Sequence, residues 1–248
     1  MKNFKFVSRI IAVIIVIAVT AVLAVIAADN RIKIPVLMYH VIDEKAGTLS
    51  NLYVKTSEFE RQMQYLSEQG YTPVHFAAPG AYEGIKKPVI ITFDDGYEDN
   101  YTNAYPILEE YGFKATIFII TAKIGKPEHL NTEQIKEMSD LIEFGSHTVN
   151  HNKLSALTLG QIRGELAFSQ KTLEKLTGKT VRTLAYPYGA YDRRVVDIAR
   201  KYYDFAVTTV GGVYTEGSDR VKISRVYIPR SFTINNFAAR LNAVSSGK

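Results

Sequence analysis

From Ile34 onward, short apolar and β-branched runs alternate with segments of helical period, and this alternation narrows the fold more than any other feature of the chain. Residues 35–39, 89–93, 115–120, 142–146, 181–185, 205–209 and 223–228 read as strands. The run 89–93 is unbroken β-branched and apolar, as a strand buried on both faces is. Ser57-Glu58-Phe59-Glu60 has the form of a capping box opening a helix with Phe59, Met63 and Leu66 on one face. Residues 98–111 are expected to be helical with Pro106 as a kink or restart, and Asn131 is expected to cap a helix through Leu141. Residues 158–176 should form the longest soluble helix, ended by Gly178, with further helices at 191–202 and 234–243. Such βα units predict parallel strands in a closed or nearly closed α/β barrel, and 248 residues suit one barrel.

Residues 10–28 carry no charge, and Thr20 is their one polar interruption. A helix over that run rises roughly 28 Å, close to the hydrocarbon thickness of a bilayer. Residues 1–28 are therefore expected to form an N-terminal transmembrane helix that anchors the chain, with residues 29–248 as a single catalytic domain. The alternative is a signal segment cleaved after Val25-Ile26-Ala27, although the apolar run is longer than secretion requires. Lys2, Lys5 and Arg9 should remain cytoplasmic, which puts everything after Asp29 outside the cell membrane. Cleavage would make the domain secreted.

The formal charge of +5 falls to +2 once Lys2, Lys5 and Arg9 are set aside. No basic run interleaved with aromatics occurs, so nucleic acid is not expected as a partner. The chain has no cysteine, which excludes disulfides, thiolate nucleophiles and sulfur-ligated zinc. Any metal must be held by nitrogen and oxygen.

Two motifs supply such ligands. Thr92-Phe93-Asp94-Asp95-Gly96-Tyr97 ends a strand with adjacent carboxylates, and Ser146-His147-Thr148-Val149-Asn150-His151 ends another with two imidazoles. Neighbouring carboxylates raise each other's proton affinity, and a cation beside them removes the conflict. Taken alone, Asp94-Asp95-Gly96 also suits a turn that merely satisfies backbone groups. The spacing of His147 and His151 places both on one face of a helical turn. One carboxylate and two imidazoles leave a coordination position open for water, as catalytic zinc sites do. His40, Asp94, Asp95, His147 and Tyr188 all fall at or just beyond strand ends, which a parallel barrel gathers at one mouth.

Together with Tyr186-Pro187-Tyr188-Gly189, these motifs resemble the polysaccharide deacetylases with the NodB homology domain, carbohydrate esterase family 4, over about residues 34–232. The resemblance implies a distorted (β/α)7 barrel, a divalent metal cofactor and removal of acetyl groups from glycans. It implies Asp94 as general base, Asp95, His147 and His151 as metal ligands, and the backbone N–H of Tyr188, after Pro187, as an oxyanion donor. Zinc is the expected ion, with cobalt, nickel and manganese also suited to this donor set.

The chain departs from the common family pattern in having no histidine after His151. His75 and His129 lie in unpromising stretches. Leu37-Met38-Tyr39-His40 ends the first strand and looks like the branch acting on poly-β-1,6-N-acetylglucosamine, in which an early histidine is the general acid; a structural strand-end imidazole is the other reading. The usual arginine before Pro-Tyr-Gly is missing. Arg182 lies farther upstream, and Arg225 either orients Asp94 or pairs on the surface. The expected protein is thus a monomeric N-deacetylase of an N-acetylglucosamine-containing extracellular polysaccharide, bound to membrane by its N-terminal helix. Peptidoglycan or chitooligosaccharide N-deacetylation, xylan O-acetyl esterase activity and an inactive glycan-binding module are the alternatives.

Overall fold

A computed structural model describes residues 13–20, 31–45 and 50–246. The chain separates into two compact units, Met1–Ile32 and Lys33–Lys248. In the first, residues 13–20 are helical and exposed, and the rest of the expected 10–28 span lies outside the described residues. Among the described residues no helix is long and apolar enough to cross a membrane.

The second unit is built on seven parallel strands: β1 (Val36–Tyr39), β2 (Pro88–Phe93), β3 (Ala115–Ile119), β4 (Ile142–Ser146), β5 (Thr183–Ala185), β6 (Phe205–Gly211) and β7 (Ile223–Tyr227). Each pairs with the next, and β7 returns to β1, where Leu37 lies between Val226 and Ile91 and closes the ring. A two-residue strand, Thr72–Pro73, adds to the start of β2. Every residue of β1, β2 and β3 is buried, which is why their sequences lack polar alternation.

The helices α1 (Thr56–Glu68), α2 (Tyr105–Glu110), α3 (Thr132–Glu137), α4 (Leu159–Thr177), α5 (Arg193–Ala199) and α6 (Ile234–Ser246) follow β1 to β5 and β7. Between β6 and β7 stands a short strand, Tyr214–Thr215, paired with Lys33–Ile34 in antiparallel sense. That connection is where the (β/α)7 plan is distorted. Asn131 caps α3 and Thr158 caps α4, each in a reciprocal box with the glutamine three residues on, and Gly178 ends α4 in a left-handed conformation.

Three helical expectations are corrected. Ser57 does not cap α1: Lys55 occupies that position without a side-chain bond, and Glu44 accepts the Ser57 N–H at 2.8 Å from the preceding loop. Residues 98–111 are not one α-helix but a π-helical turn, Asn100–Ala104, followed by α2 with Pro106 in its first turn. Proline has no N–H to give, so the chain restarts where that loss costs nothing. Finally, α3 stops at Glu137 and continues as a 3₁₀ turn, Met138–Asp140.

Candidate active site

Because all seven strands run the same way, their C-terminal ends share one mouth. His40 follows β1, Asp94 and Asp95 follow β2, His147 follows β4, and Pro187–Gly189 forms a 3₁₀ turn just after β5.

Asp94 is buried at the top of the barrel interior, and Arg225 of β7 reaches it from inside. The guanidinium donates from Nη1 to Oδ1 and from Nη2 to Oδ2, each at 2.7 Å, while its Nε donates to the Thr208 carbonyl at 2.8 Å. Nη1 also reaches the Thr92 hydroxyl at 3.2 Å, and that hydroxyl donates to the Leu37 carbonyl. Burial alone would raise the Asp94 pKa. The charge and paired hydrogen bonds of Arg225 overcome it and hold the carboxyl well below the usual carboxylate range.

Asp95 turns a different way. Its φ of 72° and the 71° of Gly96 are left-handed, and a Cβ on Gly96 would lie 2.7 Å from Ile119 Cδ1, so the turn requires glycine there. Asp95 Oδ1 stands 3.4 Å from His147 Nε2 and 3.5 Å from His151 Nε2. The three ligand atoms lie within 4.8 Å of one another. The histidines do not sit on a helical turn as their spacing suggested: residues 147–153 form an irregular loop in which Thr148 and His151 have φ of 66° and 59°. The Ser146 hydroxyl accepts the Thr148 N–H and the Thr148 hydroxyl accepts the His151 N–H, so local side-chain bonds compete successfully with helix. Burial pulls the His147 pKa down, but Asp95 and Asp94 overcome it and raise it; burial and the neighbouring His147 push His151 down to about 4.

His40 Nε2 lies 3.8 Å from Asp94 Oδ2, and its Nδ1 is buried without a hydrogen-bond partner. Burial lowers its pKa in spite of Asp94. The segment carrying it is tied down from the π-helical turn: Asp99 Oδ1 accepts the Ile42 N–H at 2.7 Å, Asn100 Nδ2 donates to the His40 carbonyl at 2.8 Å, and Asn103 Nδ2 donates to the Ile42 carbonyl at 2.7 Å. Sequence reasoning passed over these three residues. Their signal was an Asp and two Asn, weak helix formers, directly after the acidic motif.

Tyr188 has φ of 59°, and its largely exposed ring stands 4.5 Å from that of His151. Pro187 opens the turn, and Gly189 closes it with φ of 64°. Arg182 is not brought to this mouth; it pairs with Asp204 at the opposite end of the barrel. His75 lies at that end as well, bonded to the Leu141 carbonyl, and His129 packs against Tyr97 in a tilted ring contact.

The profile of the family "Polysaccharide deacetylase" matches residues 81–203. YxkH of Bacillus subtilis (strain 168), a protein named for that family, is 36% identical over 228 residues, which cover 88% of this chain and 80% of YxkH. The chain is a polysaccharide deacetylase family member. Among solved structures, the deacetylase PplD of Streptococcus pyogenes, in complex with acetate, superposes with a TM-score of 0.81 at 31% identity, over 86% of this chain and 99% of PplD. The poly-β-1,6-N-acetyl-D-glucosamine N-deacetylase of Staphylococcus aureus (strain MSSA476) is 33% identical over 174 residues, 62% of this chain and 59% of that enzyme.

The donor set of this deacetylase suits a divalent cation. His147 Nδ1 lies 2.8 Å from the Ala185 carbonyl and donates its proton there, so the neutral imidazole presents a lone pair at Nε2. Asp95 Oδ1, facing it, is buried with no hydrogen-bond partner. Separations of 3.4 and 3.5 Å, with all three ligand atoms within 4.8 Å of one another, are short enough for Asp95, His147 and His151 to hold one ion between them.

Proposed function

We propose that this chain is a metal-dependent polysaccharide N-deacetylase, a hydrolase acting on linear amides, which removes N-acetyl groups from an extracellular N-acetylglucosamine polymer. Poly-β-1,6-N-acetylglucosamine is the favoured substrate, zinc the favoured ion, and residues 10–28 the tether that keeps the barrel outside the cell membrane. The observation that carries the reading is the division of the acidic pair: Asp95 converges with His147 and His151, while Asp94 stands beside them held by Arg225 and next to His40.

Asp95, His147 and His151 would hold a divalent cation, which when bound would supply Lewis acidity to the hydrolysis. Asp94, ionised and oriented by Arg225, accepts the water proton on a carboxylate oxygen. His40 Nε2, 3.8 Å from Asp94 Oδ2, passes that proton to the departing amine nitrogen. Burial lowers the imidazole pKa and so favours the neutral form that can take up the proton from Asp94. The Tyr188 N–H donates to the oxyanion of the tetrahedral carbon. The C–N bond breaks, a C–O bond forms, and acetate and a free amine leave.

The substrate preference rests on His40, whose Nε2 lies 3.8 Å from Asp94 Oδ2, and on the likeness to the staphylococcal enzyme. The test is acetate release by the full chain from poly-β-1,6-N-acetylglucosamine and from peptidoglycan, with chelator and metal add-back. Chelator-sensitive release from the first polymer, reduced about 10²–10⁴-fold in Asp94→Asn, is expected. Release from peptidoglycan alone would replace the substrate, and metal-independent release would remove the metal from the account.

A further inference from the structure

We propose that Glu165 is a positioning residue for the metal-binding histidines, an inference that rests on the metal reading of the same site. Glu165 is a buried carboxylate on α4, the helix that follows β4. Its Oε2 accepts the backbone N–H groups of Val149 and Asn150, both at 2.9 Å. Its Oε1 accepts Asn150 Nδ2 at 2.7 Å and Asn152 Nδ2 at 3.3 Å. Every donor belongs to the loop that carries His147 and His151.

That loop has no regular secondary structure to hold it. Thr148 and His151 sit in left-handed conformations that non-glycine residues seldom adopt, and such geometry persists only where the surroundings enforce it. His147 is fixed independently, by its Nδ1 bond to Ala185. His151 is fixed by the backbone that delivers it, through its own N–H to Thr148 and through the adjacent amide run that Glu165 gathers. An ionised carboxylate is acceptor-only and so meets four donors without conflict. A glutamine there would turn its own N–H groups against some of them.

Glu165 therefore sets where His151 Nε2 stands relative to Asp95 and His147. Outer residues that orient metal ligands change metal affinity by about 10–100-fold when substituted. The experiment measures zinc affinity of the full 248-residue chain by competition with a chromophoric chelator, together with the visible absorption of the cobalt-loaded protein and metal-free thermal unfolding. Glu165→Gln is compared with Asn131→Ala, which removes the α3 cap and lowers stability without touching the loop.

Zinc affinity is expected to fall about 10–100-fold in Glu165→Gln with an altered cobalt spectrum, and to stay at the wild-type value in Asn131→Ala. Wild-type affinity and spectrum in Glu165→Gln, whatever the change in melting temperature, would reduce Glu165 to a structural brace and overturn the proposal. Should that variant not fold, Glu165→Asp keeps the charge but withdraws it by one methylene from the Val149 and Asn150 amides, and unchanged affinity and spectrum there overturn it equally. If the wild-type chain takes up no zinc, the metal reading itself fails and this inference goes with it.

Discussion

Arg225 grips Asp94 through two parallel hydrogen bonds of 2.7 Å, from 131 residues farther along the chain. This contact resolves the conflict that two adjacent carboxylates create. Asp94 is compensated from inside the barrel by a guanidinium, and Asp95, swung away by its left-handed backbone, faces the two imidazoles instead. Neighbours in sequence thus acquire separate chemical environments: one keeps its charge for proton transfer and the other turns its lone pairs toward a cation.

Removing Arg225 should therefore act on both stability and pH dependence. Breaking a buried ion pair from one side costs about 3–5 kcal/mol, so Arg225→Met should lower the urea midpoint of the chain accordingly. With the largest opposition to burial gone, the Asp94 pKa rises, and the acid limb of kcat/KM moves to higher pH. Arg225→Lys keeps the charge but loses the fork and should recover stability better than rate. An acid limb that stays in place in Arg225→Met would show that Asp94 is not the group it reports.

Much of this was legible from local pattern. Strand ends and the acidic and histidine motifs were readable because burial on both faces and residue type are local properties, and Asn131 and Thr158 cap as their side chains allow. What was missed depends on partners far along the chain. The buried reach of Arg225 into Asp94 could not be separated from a surface pairing without the ring closure of β7 on β1. The His147–His151 spacing pointed to a helical turn because spacing says nothing of the hydroxyls of Ser146 and Thr148, which take the amides instead.

His40 offers a sharp separation of roles. If it carries the proton from Asp94 to the amine, His40→Gln should lower kcat about 10²–10⁴-fold with little change in KM or in zinc affinity, since its Nε2 faces Asp94 rather than the metal ligands. Steady-state kinetics and metal titration on one preparation decide this. A loss of zinc binding would move His40 into the ligand set instead.

The Pro187–Gly189 turn is predicted to be intolerant of any side chain at its last position. A Cβ on Gly189 would lie 2.0 Å from Thr209 Oγ1 and 2.8 Å from the Thr209 backbone nitrogen, at a φ that disfavours other residues. Gly189→Ala must push the turn away from β6 and carry the Tyr188 N–H off its mark. Removing one oxyanion donor costs about 10²–10³ in kcat, so a fall of that order is expected, with zinc affinity retained. Full activity in this variant would show that the Tyr188 N–H does not meet the oxyanion.

At the opposite end of the barrel, Glu143 of β4 makes a prediction that does not involve the reaction. Burial pushes its pKa from the ordinary 4.5 up to about 7, against weaker pulls from Thr183 and Arg182. Between those values the unfolded chain has released the proton that the folded chain keeps, so the contribution of Glu143 to stability falls as pH rises through the window. Glu143→Gln has no proton to keep. Its urea midpoint relative to wild type should therefore climb from about pH 4.5 to about pH 7 and level off above. His151, pushed down to about 4, works in the opposite sense, but it is present in both proteins and cancels in the difference. A difference that stays flat with pH would mean that Glu143 is already ionised in the folded barrel.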